Sequence, residues 1–241
     1  MWQTTCTVIR SGEEAFVVDS PVFPDELEVL PALLQRAGFG FSGLLATHGD
    51  WDHLLGRLAF PGAALGCAET TAARLTGEPG AAARDLRRFD GEHYVVRDAP
   101  LSMGQVEALP VPGHLGLGEH ELELHPADGH TADGMAILAP WANVLVCGDY
   151  LSPVEIPMLS AGGSRSAYLA TLRRLQPLVE RASVVVPGHG EPLDRVRALA
   201  ILREDVAYLE GLPDGPLPLA RRDEAQQRIH TNNLAQLRSS G

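Results

Sequence analysis

The segment "ATHGDWDH", residues 46–53, places four side chains that can bind a metal, His48, Asp50, Asp52 and His53, within six positions. Three groups of the same kind lie far downstream, His130 in "ADGHTADG", Asp149 in "VLVCGDY" and His189 in "VVVPGHGEP". Neutral imidazole together with carboxylate oxygen suits zinc and the harder first-row divalent ions. Seven such groups exceed what one tetrahedral ion takes, so two ions sharing a bridging carboxylate is the natural count. A pair of divalent ions makes a nucleophile of bound water and polarises the carbonyl or phosphoryl group under attack. Asp52 or Asp149 would then relay the proton to the departing group. The sequence has no GxSxG elbow, which speaks against a serine nucleophile of the α/β-hydrolase kind.

Groups so dispersed can meet only through the fold; the first cluster closes an apolar run, and each of the three downstream positions closes an apolar strand or follows a glycine. Residues 4–10 and 15–19 read as two strands around a turn at Ser11–Gly12. In "DELEVLPALLQRAG", Leu27, Leu30, Leu33 and Leu34 recur at helical spacing before Gly38. "GLLATH" reads as a buried strand ending at His48, after which "GDWDHLLGRL" turns into a helix. The histidine-aspartate cluster therefore sits where a rigid strand ends, a common place for a site in a layered α/β protein.

Further on, "AALGC" is a strand, 68–76 and 81–89 are helical, and 97–119 is loop with short strand. "HELELH", "GMAILA" and "NVLVCGD" resume the strands, the last two joined by a turn at Pro140–Asn143. "SRSAYLATLRRLQPLVE" is an amphipathic helix, "ASVVVPG" a strand, and 192–210 a helix. After the proline-rich "LPDGPLPL" a helical tail runs over 219–238.

The chain has 241 residues, 45% of them hydrophobic, which is enough for one substantial core. A single domain is expected over 1–241, its core reaching about residue 210. All 19 basic residues are arginines, against 31 Asp and Glu, for a formal net charge of −12. That balance disfavours nucleic acid and an anionic membrane surface as partners. With neither a leader-like amino-terminal run nor a spanning apolar stretch, a soluble, cytoplasmic protein acting on a small molecule is expected; its oligomeric state is left open. The cysteines Cys6, Cys67 and Cys147 are odd in number, far apart and without a CxxC pair, so they read as small buried side chains.

Taken together and in this order, "THGDWDH", "GHT", "CGD" and "PGHG" resemble the motifs of the metallo-β-lactamase-fold hydrolases. The resemblance runs from "AFVVDS" to about "PGHGEPL". It implies an α/β fold, an αββα four-layer sandwich with a dinuclear centre at one edge. It assigns His48, Asp50 and His130 to the first metal and Asp52, His53 and His189 to the second, with Asp149 bridging. Asp19, which ends "FVVDS", matches a position that supports the metal loop from behind. The family's pattern is His-x-His-x-Asp-His, and this chain carries Asp50 at the second histidine. A carboxylate still donates an oxygen, but it weakens the ion's Lewis acidity and favours harder metals. Zinc is the expected metal, with iron and manganese kept open.

The resemblance leads to a metal-dependent hydrolase of a small ester, lactone or thioester. Alternatives are an iron-dependent sulfur dioxygenase or oxygen-reducing relative, and a metal-binding protein without turnover. A glutathione-thioester substrate would want a basic carboxy-terminal pocket, for which Arg221, Arg222 and Arg228 are available. His230 and Asn233, three apart on the tail helix, and Tyr150, beside the bridging carboxylate, are further groups placed to touch substrate or support the site. Trp51 is assigned to packing or the pocket wall, and His93, His114, His120 and His125 to surface or core roles.

Overall fold

In a computed structural model describing residues 4–239, the apolar runs become strands whose neighbouring side chains serve different cores. Thr7–Ser11 (β1) and Glu14–Val18 (β2) form a hairpin, and Gly40–Leu45 (β3), Leu65–Ala68 (β4) and Val106–Leu109 (β5) complete a sheet in the order β1-β2-β3-β4-β5. From β2 to β5 every pairing is parallel. Parallel neighbours need long crossovers, here supplied by Pro24–Arg36 (α1), the short Gly56–Ala59 (α2), Glu69–Gly77 (α3) and Ala81–His93 (α4).

The second sheet follows the order β11-β10-β9-β8-β7-β6. Its strands are Gly113–Leu117 (β6), His120–Pro126 (β7), Met135–Ala139 (β8), Val144–Val146 (β9), Val184–Val186 (β10) and Leu193–Asp194 (β11). Arg165–Arg181 (α5) crosses from β9 to β10, and Arg195–Gly211 (α6) and Glu224–Ser239 (α7) close the chain.

Alternation along the strands sorts the interior into three cores. Val18, Leu45, Met135, Ile137, Val146 and Val186 meet between the sheets. Their neighbours Val17 and Leu44 turn outward against Leu27, Leu30 and Leu34 of α1. Ala136, Leu138, Leu145 and Val185 do the same against Leu172, Leu175 and Val179 of α5 and against α6. Helices on both outer faces of two packed sheets give the four-layer αββα arrangement. A strand covered on both faces must be apolar throughout, which is why these runs lack a polar face in the sequence.

Several boundaries differ from the sequence expectation. The strand expected to run to His48 stops at Leu45, because the Thr47 carbonyl leaves its sheet to accept the Met135 N–H of the other one, at 2.7 Å. The helix expected from 192 starts at Arg195, since Leu193 and Asp194 pair with β10 and the Asp194 carboxylate caps the Arg197 N–H at 2.8 Å. The tail helix begins at Glu224 and not 219, with Asp223 accepting from the Gln226 N–H at 2.9 Å. Among the described residues no helix is long and apolar enough to cross a membrane.

Candidate metal centre

Loops from one edge of both sheets converge on a single spot. From the first sheet come Asp19, just past β2, and the 46–53 segment past β3. From the second come His130 in the β7–β8 loop, Asp149 past β9 and His189 past β10.

Asp19 holds the first loop in place. Its Oδ1 accepts the Thr47 N–H at 2.8 Å, its Oδ2 accepts the Thr47 hydroxyl at 2.9 Å, and Oδ2 also lies 3.0 Å from His53 Nδ1. The residue has φ 55°, a left-handed conformation that Asp tolerates better than most side chains. With Nδ1 beside Asp19, His53 Nε2 faces the centre, 3.1 Å from Asp149 Oδ1. Residues Trp51–His53 form one 3₁₀ turn, which brings Asp52 and His53 to the same place.

His130 is oriented from the other side. Its Nδ1 lies 2.9 Å from the Met158 carbonyl, an acceptor only, so the hydrogen of the neutral ring sits on Nδ1 and Nε2 is free to bind. Glycines let the loops close up. A Cβ on Gly148, which has φ 56°, would lie 2.9 Å from the Thr47 hydroxyl, and one on Gly188 would run into Asp149 and His53.

The resulting geometry centres on Asp149. Its Oδ2 lies 3.2 Å from His130 Nε2 and 3.7 Å from His48 Nε2, while its Oδ1 lies 3.1 Å from His53 Nε2 and 3.3 Å from His189 Nε2. One carboxylate thus faces two separate imidazole pairs. Asp50 Oδ2 joins the first pair, 3.6 Å from His48 Nε2 and 3.3 Å from His130 Nε2. Asp52 Oδ2 joins the second, 3.5 Å from His189 Nε2 and 3.8 Å from His53 Nε2. Three sets, His48/Asp50/His130, Asp52/His53/His189 and His48/His53/Asp149, each hold one ligand atom per residue within 4.8 Å of the others. All seven residues singled out in the sequence are therefore brought together.

The electrostatics of this cluster suit a cation. Burial alone would raise the Asp149 carboxyl, but His189, His53, His48 and His130 hold it well below the usual carboxylate range. Burial works to lower His130 and His189, yet Asp149, with Asp50 at His130, raises the first to about 9, and Asp149 raises the second to about 10. His48 Nε2, His53 Nε2 and Asp149 Oδ1 are buried without a hydrogen-bond partner. Orphaned polar atoms of this kind are costly unless something else satisfies them. The four imidazoles and three carboxylates fit two divalent ions in number, donor type and placement.

The other sequence candidates lie elsewhere. Tyr150 is buried and makes no surface for substrate; its hydroxyl takes the His130 N–H at 3.1 Å and donates to the Ala127 carbonyl at 3.3 Å. Neither His230 nor Asn233 faces the centre. His230 pairs with the Tyr208 hydroxyl, and Asn233 is fully buried against the 157–159 backbone. Arg221 is buried in an ion pair with Asp205, Arg222 binds the Leu217 carbonyl and Arg228 pairs with Glu224, so these three do not form a basic pocket. Trp51 packs beside Phe89. His93 stacks on Phe89, His120 bonds Ser11, His125 pairs with Glu123 and His114 lies on β6, all apart from the cluster.

Two residues were missed. Asp133 is buried behind the metal loop and accepts the Gly49 N–H at 2.9 Å, and Arg74 on α3 contacts both Asp133 and Asp50. In "TADG" an aspartate reads as turn chemistry, and an arginine on an amphipathic helix reads as solvated surface.

A model of the metallo-beta-lactamase superfamily matches residues 1–189. Similar solved structures include a metallo-beta-lactamase family protein from Thermus thermophilus, at 22% identity and TM-score 0.65, covering 97% of this chain and 89% of that one. The DIM-1 metallo-beta-lactamase exposed to ceftazidime is similar at 20% identity and TM-score 0.62, covering 86% and 84%. A metallo-beta-lactamase from Pontibacter korlensis is similar at 20% identity and TM-score 0.57, covering 83% and 87%. At such identities the likeness is one of fold. No curated protein matches the sequence.

Proposed function

The chain belongs to the metallo-β-lactamase superfamily, and from that premise we propose that it is a hydrolase of a small ester, lactone or thioester working through two divalent ions, zinc in the first instance. The observation that carries the proposal is Asp149, whose two oxygens face two different imidazole pairs. His48, Asp50 and His130 would hold one ion, Asp52, His53 and His189 the other, with Asp149 between them. Bound there, the ions supply an activated water and polarise the scissile carbonyl.

The chain's own residues do the rest. Asp19 and the Met158 carbonyl fix the rings of His53 and His130 so that Nε2 points inward. Asp52 and Asp149 offer carboxylate oxygens to take the proton of the attacking water and pass it to the leaving group. A cavity of about 330 Å³ opens beside Asp50, walled by Trp51, Leu75 and Ala82 with Arg74, Arg88 and Ser160 at its polar side. That volume takes a small substrate, and the net charge of −12 argues against nucleic acid. Asp50 favours a harder ion than histidine does, and this supports a second reading, an iron-dependent oxidation catalyst.

Metal analysis of the purified protein separates the readings. About two zinc ions per chain with hydrolysis of a lactone, thioester or ester panel supports the hydrolase. Iron with oxygen consumption favours the second reading, and metal-loaded protein that turns over nothing in either assay refutes both.

A further inference from the structure

Where the family's pattern has histidine, position 50 carries an aspartate, and a cation from α3 reaches it. Arg74 Nη2 donates to Asp50 Oδ1 at 2.7 Å, and Arg74 Nη1 donates to Asp133 Oδ1 at 2.9 Å. Asp133 in turn accepts the Gly49 N–H at 2.9 Å and the Thr71 hydroxyl at 2.8 Å on its other oxygen. The guanidinium is thereby fixed against the metal loop, in contact so close that a Cβ on Gly49 would lie 3.2 Å from Asp133 Oδ2 and 3.4 Å from Arg74 Nη1. It occupies only Asp50 Oδ1. The other oxygen, Oδ2, is the one left facing His130 and His48.

Replacing imidazole with carboxylate adds a negative charge to the ligand set. Asp50, Asp52 and Asp149 together would give the two ions three carboxylates, one more than a histidine at position 50 would leave. We propose that Arg74 is the charge-compensating partner of Asp50, so that the Asp50–Arg74 pair presents the first ion with a ligand of no net charge, as a histidine would. The proposal rests on the metal-centre reading above. It assigns Arg74 a role through Asp50, not contact with substrate, and it makes Asp133 the anchor that keeps the guanidinium in place.

The sign of one affinity change separates this role from simple support. Removing a merely structural side chain loosens the site and weakens metal binding, whereas removing a cation that opposes a dication a few ångströms away strengthens it. Cobalt(II) serves as the probe, titrated into wild type, R74M, R74K, D50H and D50H/R74M with visible absorption and chelator competition. Melting of each metal-free protein reports folding. The quantity read is the dissociation constant of the binding step that D50H alters.

R74M is expected to tighten that step by at least about tenfold and D50H to weaken it by at least about tenfold, while D50H/R74M returns to within about threefold of wild type and R74K stays with wild type. An R74M that binds more weakly or unchanged, or an R74K that behaves like R74M, overturns the proposal. If R74M does not fold, D50H weakened with R74K unchanged supports the proposal and any other pair of results overturns it. A wild type that takes up no cobalt is a different failure, that of the metal-centre reading itself.

Discussion

Substituting Asn233 with alanine should loosen the metal centre, although the residue has no contact with any of the seven clustered groups. Asn233 is fully buried; its Oδ1 accepts the Leu159 N–H at 2.8 Å, and its Nδ2 donates to the Pro157 carbonyl at 2.7 Å and the Tyr208 hydroxyl at 3.0 Å. Between those two backbone partners lies Met158, whose carbonyl orients His130. Alanine leaves a buried N–H and a buried C=O unpaired, each costing about 1–3 kcal/mol. A loss of about 3 kcal/mol in a domain of this size lowers Tm by roughly 6–12 °C. With the 157–159 loop no longer held, the hydrogen bond that fixes the His130 ring loosens, and loss of such support weakens metal binding by about 10–100-fold. Thermal melting of metal-free protein reads the first effect, and cobalt titration at a temperature where the variant is folded reads the second. An N233A protein that melts within 2 °C of wild type (a bound of about 1 kcal/mol) and binds cobalt equally well would refute the claim that α7 supports the centre.

Two further outcomes follow from the same geometry. Asp149→Asn removes the charge that faces both imidazole pairs, so metal content should fall below two ions per chain and hydrolysis by about 10³-fold or more; metal content and rate equal to wild type would exclude a bridging role. Asp205 is buried against Arg221, and burial raises its carboxyl to about 7 despite that partner. An acid whose folded pKa exceeds its unfolded value of about 4 stabilises most at low pH. Relative to an Asp205→Asn variant, wild type should therefore lose stability as pH rises from about 4 to about 7, by at most about 4 kcal/mol, and remain level above. Urea unfolding at intervals across that range measures it, and parallel curves for the two proteins would contradict the assignment.

The sequence disclosed the sheet interior readily because pairs such as Val17 and Val18, or Leu44 and Leu45, are both buried and so stand out as unbroken apolar runs. The seven clustered residues were legible for a related reason, since the 46–53 segment closes such a run and His130, Asp149 and His189 each follow a glycine just past a strand, with side chains that a strand end has no structural need for. What stayed hidden depends on contacts across the chain. Arg74 looks like any arginine on a helix until α3 is seen packed beside residue 50. Asp133 sits in a glycine-flanked turn, where aspartate is ordinary. Strand β11 has only two residues, too few to show a period. For Asn233 the partners that place it beside Met158, 74 and 76 residues away, are backbone groups that no side-chain pattern reveals.

The placement of the centre also bears on stability. The 46–53 segment follows a strand of one sheet and His130, Asp149 and His189 follow strands of the other, so ions held by both sets would tie the two halves at a common edge. Protein bonds already cross there, from Met135 N–H to the Thr47 carbonyl at 2.7 Å, from Gly49 N–H to Asp133 at 2.9 Å and from Thr5 N–H to the Gly188 carbonyl at 2.8 Å. They lie beside the four buried imidazoles and the carboxylates of Asp50, Asp52 and Asp149, among which His48 Nε2, His53 Nε2 and Asp149 Oδ1 have no hydrogen-bond partner. Without cations the burial of these groups is offset by the imidazole–carboxylate pairs around Asp149, and bound ions would take the place of those pairings. On the proposed reading, metal occupancy and packing of the two sheets would be one equilibrium at this edge, and a residue that orients a ligand would also help hold the sheets together.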